Sequence, residues 1–276
     1  YRDLDCNGVD DQNDDTTGNA DGHDIRNAGN YAMRPRLAES DLVAANHPGA
    51  QYFIEAWYVV RDDVNIFNSM GHRRVDPRWS QIDPVNGVWS MPFAAGSGFV
   101  PGPVSHAWVA PGTTTPMAMS REIATSDGHL QLAVKVADLG GGQYRYDYAL
   151  MNFDFTRPVT TGNEPNLRVL RNLGIGALHV PLPVAATATT STHDGDMDAG
   201  NAWTATRLGE QLRFTAASGD SQTWGALYRF SVTTDQAPKR GCVEIDPAEA
   251  GEPAVFVMSS LVPGDSTACF SDGFED

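Results

Sequence analysis

One alternating stretch, from residue 129 to residue 155, constrains the fold of this chain more than any other feature. Apolar or aromatic residues occupy every second position in two runs, which are Leu130, Leu132, Val134 and Val136, and then Tyr144, Tyr146, Tyr148 and Leu150. A period of two is typical of a β-strand with one buried face. Three consecutive glycines, at 140–142, separate the runs and permit the positive φ angles of a tight reversal. The stretch predicts a central hairpin in a protein built from sheet.

Further strands are predicted on both sides of this hairpin. Residues 49–60 carry aromatic side chains on both faces, which predicts either a central strand covered on both sides or a strand with a binding face. Residues 221–232 place Trp224, Tyr228 and Phe230 on one face, which we expect to be core, and residues 254–262 form a last strand. Glycine and proline interrupt the rest too often for helices. The predicted fold class is all-β, an antiparallel β-sandwich of jelly-roll or Ig-like type with long loops.

The composition changes near both ends of the chain. Residues 1–30 contain eight aspartates, four glycines and almost no large apolar side chain, so they cannot form a core. We therefore predict an acidic calcium-loop segment at 1–30, a β-sandwich domain at 31–265 and an acidic tail at 266–276.

The charge balance limits the partners of the chain. Its formal charge is -16, and only Lys135 and Lys239 are lysines. Such a chain repels phosphate backbones and anionic lipid, so we expect no nucleic-acid partner, whereas a divalent cation is a natural counter-charge. No apolar run approaches the roughly 20 residues of a membrane span. The chain opens on Tyr1, as expected of a processed export product.

An aspartate-rich loop near the start predicts a calcium site. Oxygen-bearing side chains stand at the spacing of a calcium loop, Gly8 stands where the chain must turn, and a backbone carbonyl completes the set: Asp3, Asp5, Asn7, Val9, Asp11 and Asp14. This pattern resembles the calcium loops of thrombospondin type 3 repeats and dockerins. It differs from an EF-hand in ending on Asp and in lacking a preceding helix. The alternative is a solvated acidic leader.

Two weaker acidic clusters are also candidates for calcium ligands. Asn19, Asp21 and Asp24 either complete a second site or share the first. Asp194, Asp196 and Asp198 alternate in a glycine-flanked loop between two predicted strands, where they either wrap one cation or form a polar loop tip. The predicted cofactor is therefore Ca²⁺.

Three cysteines, Cys6, Cys242 and Cys269, allow one disulfide with one cysteine left over, or three free thiols. Their spacing does not select the pairing.

Catalytic motifs are mostly absent from the sequence. It contains no HExxH, CxxC or GxSxG pattern. Glu55, beside Trp57 on one strand face, is the single weak candidate for a glycosidase carboxylate, with the alternative that it pairs with an arginine at the sheet edge. Trp79, Trp89 and Trp108 either form a sugar-stacking platform or lie in the core.

Spaced blocks of the chain, GAQYFIEAWYVVRDD, DLGGGQYRYDYALMNFDF and WGALYRFSV, look like a group of secreted bacterial proteins that carry calcium loops, across residues 49–232. The ending FSDGFED resembles C-terminal tails of exported bacterial proteins. The resemblance implies an extracellular or cell-surface location and no particular reaction.

Together these features favour a secreted, calcium-stabilised, non-catalytic β-sandwich in adhesion, matrix or surface assembly. Its expected partner is either the chain itself, as a homo-oligomer or filament, or an extracellular polysaccharide. The alternatives are a secreted hydrolase acting on polysaccharide, with Glu55 in its site, and a carbohydrate-binding module.

Overall fold

The computed structural model describes residues 37–58, 65–82, 87–163, 165–193, 200–218 and 220–263. The chain divides into two units, Tyr1–Ala50 and Gln51–Asp276. In the described part of the first unit a single turn of helix, α1 (Glu39–Leu42), is followed by tight turns. The predicted segments 1–30 and 266–276 lie outside the described residues, so their boundaries remain predictions.

The described part of the second unit consists mainly of antiparallel strands. Two short helical turns, a 3-10 helix (Ile66–Ser69) and α2 (Ser105–Trp108), interrupt them. In chain order the strands are β1 (Tyr52–Trp57), β2 (Met70–Val75), β3 (Arg78–Gln81), β4 (Gly87–Ser90), β5 (Val100–Pro101), β6 (Ala118–Thr125), β7 (Gly128–Gly140), β8 (Gln143–Asn152), β9 (Arg157–Thr161), β10 (Arg168–Leu173), β11 (Ile175–Pro181), β12 (Ala188–His193), β13 (Thr204–Leu208), β14 (Gln211–Thr215), β15 (Ala226–Thr234), β16 (Pro238–Pro247) and β17 (Phe256–Pro263).

Two five-stranded sheets form a β-sandwich. The front sheet has the strand order β12-β15-β8-β7-β6, and the back sheet has the order β13-β14-β11-β16-β17. Every strand pair is antiparallel. The prediction of an all-β antiparallel sandwich is confirmed.

The predicted central hairpin is β7 and β8, in the middle of the front sheet. Val134 pairs with Tyr148 and Leu132 with Leu150. The turn residues Gly140, Gly141 and Gly142 all have positive φ angles, which an L side chain adopts only at a cost. The glycines therefore permit the reversal that joins the two longest strands of the sheet.

The core lies between the two sheets. Tyr146, Tyr148 and Leu150 of β8 are fully buried there, as are Leu178 of β11 and Phe214 of β14. The Tyr148 hydroxyl donates to the Leu261 carbonyl of β17 at 2.9 Å, so this side chain ties the front sheet to the back sheet. Burial raises the pKa of Tyr148 well above its ordinary value. The phenol therefore stays neutral and acts as a hydrogen-bond donor.

The structure excludes one alternative for β1 and corrects one prediction near β15. Among the described strands, β1 lies at the edge of a small three-stranded sheet, β1-β2-β5, so it is not a central strand covered on both sides, and the alternative of a strand with a binding face stays a prediction. Trp224 is 44% exposed and precedes β15, so it is not in the core. The reason is Gly225, whose φ of 75° turns the chain before the strand begins and breaks the alternation that the sequence suggested.

The small sheet packs on the sandwich through a second apolar cluster. Met70 of β2 contacts Met151 and Phe153, and Trp57 and Phe67 pack against them. The Phe67 and Phe153 rings meet edge to face at 5.0 Å between centroids. One face of the small sheet therefore packs on the sandwich, and the opposite face does not take part in this packing.

Candidate ligand groove and exposed sheet face

A groove lies at one end of the back sheet. Its volume is about 500 Å³, within the range of small-molecule sites. Its walls carry two guanidinium groups, from Arg171 and Arg213, together with the Asp246 carboxylate and the Ser221 hydroxyl. The remainder of the lining is apolar or small: Leu173, Gly176, Ala216, Ala217, Pro247 and Ala248. A ligand could approach the backbone closely there.

Strand pairing explains why the charged groups of the groove meet. His179 of β11 lies opposite Arg213 of β14 and opposite Glu244 of β16, and Asp246 is two residues beyond Glu244 on the same face. The Asp246 Oδ2 atom accepts from His179 Nε2 at 2.8 Å and from Arg213 Nη2 at 3.2 Å. The back sheet therefore displays a His-Asp-Arg cluster on its outer face.

The second arginine of the groove is held by a separate ion pair. Arg171 Nη2 donates to Glu249 Oε2 at 2.9 Å. The Arg171 side chain is 57% exposed.

This cluster is not a serine-hydrolase triad. Ser221 precedes Gln222, which forms an isolated β-bridge with Ile175 at the start of β11. His179 lies four residues after Ile175 on the same strand. At about 3.4 Å per strand residue, His179 lies about 14 Å along the strand from Ile175, the residue opposite the neighbour of Ser221. The Ser221 hydroxyl instead accepts from the Gly174 N–H at 3.3 Å. The groove has the features of a binding site and lacks an activated nucleophile.

A second candidate surface is the outward face of the small sheet. Ile54 lies opposite Arg73, whose guanidinium stacks over the Phe93 ring at 3.9 Å. Ala56 lies opposite Gly71, and the Phe99 ring lies directly on that glycine, where it occupies the space of a β-carbon. We call this set the aromatic face and define it as Ile54, Ala56, Gly71, Arg73, Phe93 and Phe99. Ile54, Phe93 and Phe99 are 44%, 55% and 64% exposed.

Glu55, the predicted catalytic candidate, lies on the opposite, packed face of β1. Its carboxylate accepts a hydrogen bond from the backbone N–H of Val104, the residue that precedes α2. No arginine contact with Glu55 is seen in the described part of the chain, so the predicted arginine pair is not formed there. The carboxylate thus holds a loop against the small sheet, which is a structural role.

The tryptophans occupy separate places and form no single platform. Trp79 and Trp89 face each other across the β3-β4 hairpin, with centroids 5.6 Å apart, and Trp79 is 46% exposed. Trp108 in α2 lies under the Lys135 ammonium at 5.3 Å. Of these three tryptophans, Trp79 is the exposed one, whereas Trp89 and Trp108 are partly buried.

The predicted calcium ligands all lie outside the described residues. This applies to Asp3, Asp5, Asn7, Val9, Asp11 and Asp14, and equally to Asp194, Asp196 and Asp198. Among the residues that the structure does describe, no group of three or more His, Cys, Asp or Glu side chains is placed to hold a metal ion. The calcium sites remain predictions.

Cys242, on β16, is disulfide-bonded. A disulfide is therefore present, as one of the two sequence hypotheses expected. Cys6 and Cys269 lie outside the described residues, so the pairing stays open.

Sequence reasoning missed the groove, and it gave a binding face on residues 49–60 only as one of two alternatives. The groove combines Arg171, Arg213, Ser221 and Asp246, which are far apart in the chain and form no motif. The signal that was available is the alternation of His179 with buried Leu178 and Val180, which places a histidine on the outer face of a core strand.

No protein-family model and no curated protein matches this chain. Within the described residues, no helix has the length and hydrophobicity needed to cross a bilayer.

Proposed function

We propose that this chain is a secreted, calcium-stabilised, non-catalytic β-sandwich protein of extracellular adhesion, matrix or surface assembly, and that it associates with a second copy of itself. The observation that carries the proposal is the exposed aromatic face. Contiguous exposed apolar surface on a folded domain marks an interaction site. The face is rigid, because the opposite side of the same sheet packs on the sandwich.

Charge favours a second copy at this surface. The chain carries a formal charge of -16, so two copies repel each other over most of their surfaces. The aromatic face contains Arg73 and no carboxylate among its described residues. Repulsion is therefore weakest where the aromatic faces meet, and calcium bound at the predicted acidic loops lowers it further.

The disulfide at Cys242 supports the extracellular location. Disulfides persist in oxidising compartments and are rare in reducing ones. The resemblance to exported bacterial proteins points in the same direction.

Self-association is tested by sedimentation velocity over a concentration series, with calcium and with chelator. We expect oligomers in calcium, and a dissociation constant at least tenfold weaker for Ile54→Asp. Leu139→Asp is the matched control, because Leu139 is 51% exposed at the tip of the central hairpin, away from this face. A strict monomer at high concentration in both buffers contradicts the proposal.

The exposed Trp79 indole supports carbohydrate binding as a second candidate function. It packs over Gly87 and against Trp89, which keeps the ring fixed for stacking on a sugar. The test is retention on a panel of insoluble polysaccharides. Trp79→Ala should lose retention, whereas Trp224→Ala, which also removes an exposed indole, should keep it.

The hydrolase alternative has less support, because the Glu55 carboxylate already binds a backbone N–H. Turnover of a polysaccharide that Glu55→Gln abolishes would reinstate it.

A further inference from the structure

We infer that the disulfide at Cys242 is formed with Cys269, and that it fixes the acidic tail, residues 266–276, on the outer face of the back sheet. This covalent site goes beyond the proposed self-association, because β16 and β17 contribute no residue to the aromatic face. The inference rests on the direction of the Cys242 side chain, on the length of chain after β17 and on the charges around Cys242.

Cys242 lies on the outer face of the back sheet. Val243 and Ile245, its neighbours on β16, are fully buried in the core between the two sheets. Because successive side chains of a strand point to opposite faces, the Cys242 side chain points away from that core. Ser259 of β17 lies opposite Cys242 and is exposed. The partner cysteine must therefore approach from outside the sandwich.

The chain leaves β17 close to Cys242. Pro263, the last residue of β17, pairs with Pro238, and Cys242 lies four residues from Pro238 along β16. That distance is about 14 Å. The six residues from Pro263 to Cys269 span about 20 Å when extended. With a reversal at Gly264, the tail is long enough to return over the outer face and to bring the two cysteine Cα atoms within the roughly 6 Å of a disulfide.

The separation of the cysteines along the chain favours Cys269 over Cys6. Cys269 lies 27 residues from Cys242 (242 to 269), whereas Cys6 lies 236 residues away (6 to 242). The probability that two points of a flexible chain meet falls roughly as the −3/2 power of their separation, so the encounter with Cys269 is favoured roughly 25-fold. Cys6 is then the cysteine that stays a thiol.

Charge favours an acidic segment at this face. Arg240 shares the outer face with Cys242, two positions away, and Lys239 precedes it, both with exposed side chains. The acidic tail carries three carboxylate side chains and no basic residue. Opposite charges at short range attract each other. Residues 1–30 are acidic as well, so charge favours a terminal segment here, and chain length selects the tail.

Formation of the bond joins the two Sγ atoms and removes two protons and two electrons from the thiols. A small disulfide such as oxidised glutathione accepts them through a mixed disulfide and leaves as two thiols. Reduction reverses the step and releases the tail from the sheet.

The experiment is mass spectrometry of a tryptic digest of the full chain, made in denaturant without reduction after free thiols have been alkylated with N-ethylmaleimide. No lysine or arginine follows Arg240, so Cys242 and Cys269 lie in one tryptic peptide, 241–276. We expect this peptide to be unalkylated and lighter than its reduced form by two hydrogens, and Cys6 to be alkylated. A cross-link between peptides 3–26 and 241–276, or between two copies of 241–276, overturns the inference.

Serine variants give an independent readout. Cys269→Ser should lower the melting temperature by about 5–15 °C, as much as Cys242→Ser does. Cys6→Ser is the matched control and should leave the melting temperature within about 1 °C. A loss of stability in Cys6→Ser, or none in Cys269→Ser, overturns the inference. Sedimentation of the same variants reports on self-association separately, so either proposal can fail alone.

Discussion

At the scale of single residues, two buried amides organise the end of the central hairpin. The side chain of Asn152 donates to the carbonyls of Phe155 and Gln222, both at 3.0 Å, and accepts from the Phe155 N–H at 2.9 Å. Gln222 in turn donates to the Leu150 and Ala226 carbonyls, at 2.7 and 2.8 Å. These side chains satisfy backbone groups where β8 and β15 lose their regular pairing.

Replacement of Asn152 should therefore be costly. Asn152→Ala leaves buried backbone groups without partners, and we expect a loss of about 3 kcal/mol in the free energy of unfolding. Urea denaturation measures it. Asn166→Ala, at an exposed loop position, should change the same quantity by less than about 0.5 kcal/mol. Equal effects of the two substitutions would show that the amide network adds little.

Asp147 makes the free energy of unfolding depend on pH in the acid range. Burial by itself raises the pKa of its carboxyl, but hydrogen bonds from Arg229 and Ser231 and the Arg229 charge outweigh burial, so the pKa lies below its ordinary value of 3.8. Because the pKa of Asp147 is lower in the folded state, the ionised carboxylate stabilises the fold at pH values above the pKa of the unfolded chain. This contribution is lost as the pH falls through the pKa of the folded state.

We expect Asp147→Asn to destabilise the fold by about 2 kcal/mol at pH 7 and by much less at pH 2.5. Chemical denaturation at the two pH values tests this. Asp138→Asn, on the same hairpin, serves as the control because Asp138 is exposed and an asparagine can still accept from the Gly140 N–H. If Asp147→Asn lowers the free energy of unfolding equally at both pH values, the charge of the carboxylate does not contribute to stability.

At the scale of elements, two glycines have different roles: Gly128 begins β7, and Gly141 lies in the turn that follows it. A β-carbon on Gly128 would lie 2.5 Å from the Phe155 Cα atom, and its φ is 133°. A β-carbon on Gly141 would meet nothing within 4 Å, and its φ of 62° is in the left-handed region. The first glycine is needed for close backbone packing and the second only for its turn.

Gly128→Ala should therefore cost well over 3 kcal/mol, whereas Gly141→Ala should cost about 1 kcal/mol. Thermal melting of the two variants measures the difference. Similar melting temperatures would contradict the packing argument, because a β-carbon meets the backbone at Gly128 and meets nothing at Gly141.

At the scale of the whole molecule, the disulfide at Cys242 links β16 to another part of the chain. A cross-link restricts the unfolded ensemble, and its removal from a secreted domain costs about 2–5 kcal/mol. We expect Cys242→Ser and a reducing agent to lower the melting temperature to the same extent. Peptide mapping without reduction identifies the partner, and a reductant without effect contradicts a stabilising role.

The predicted calcium loops are also tested on the whole molecule. Calcium that binds only the folded protein raises its stability by mass action. Chelation should lower the melting temperature, and Asp5→Ala and Asp11→Ala should weaken calcium binding in titration. An unchanged melting temperature, or calcium binding by both variants like that of wild type, contradicts the calcium hypothesis.

Sequence alone determined the fold class and much of the core of this protein. The alternation of apolar and polar residues in β7 and β8 is a pattern among neighbouring residues, so it can be recognised without knowing the tertiary contacts. The same logic failed at Trp224, because the φ of Gly225 redirects the chain and alternation carries no information about backbone angle.

Only the tertiary structure decided which surfaces are free to act. His179, Arg213 and Asp246 meet because strands from distant parts of the chain pair in one register, and strand order is not encoded in any local pattern. The contact of Glu55 with the Val104 N–H could not be predicted for the same reason, since the two residues are 49 positions apart in the chain. Side-chain chemistry is local in sequence, whereas burial, partners and access are properties of the folded chain.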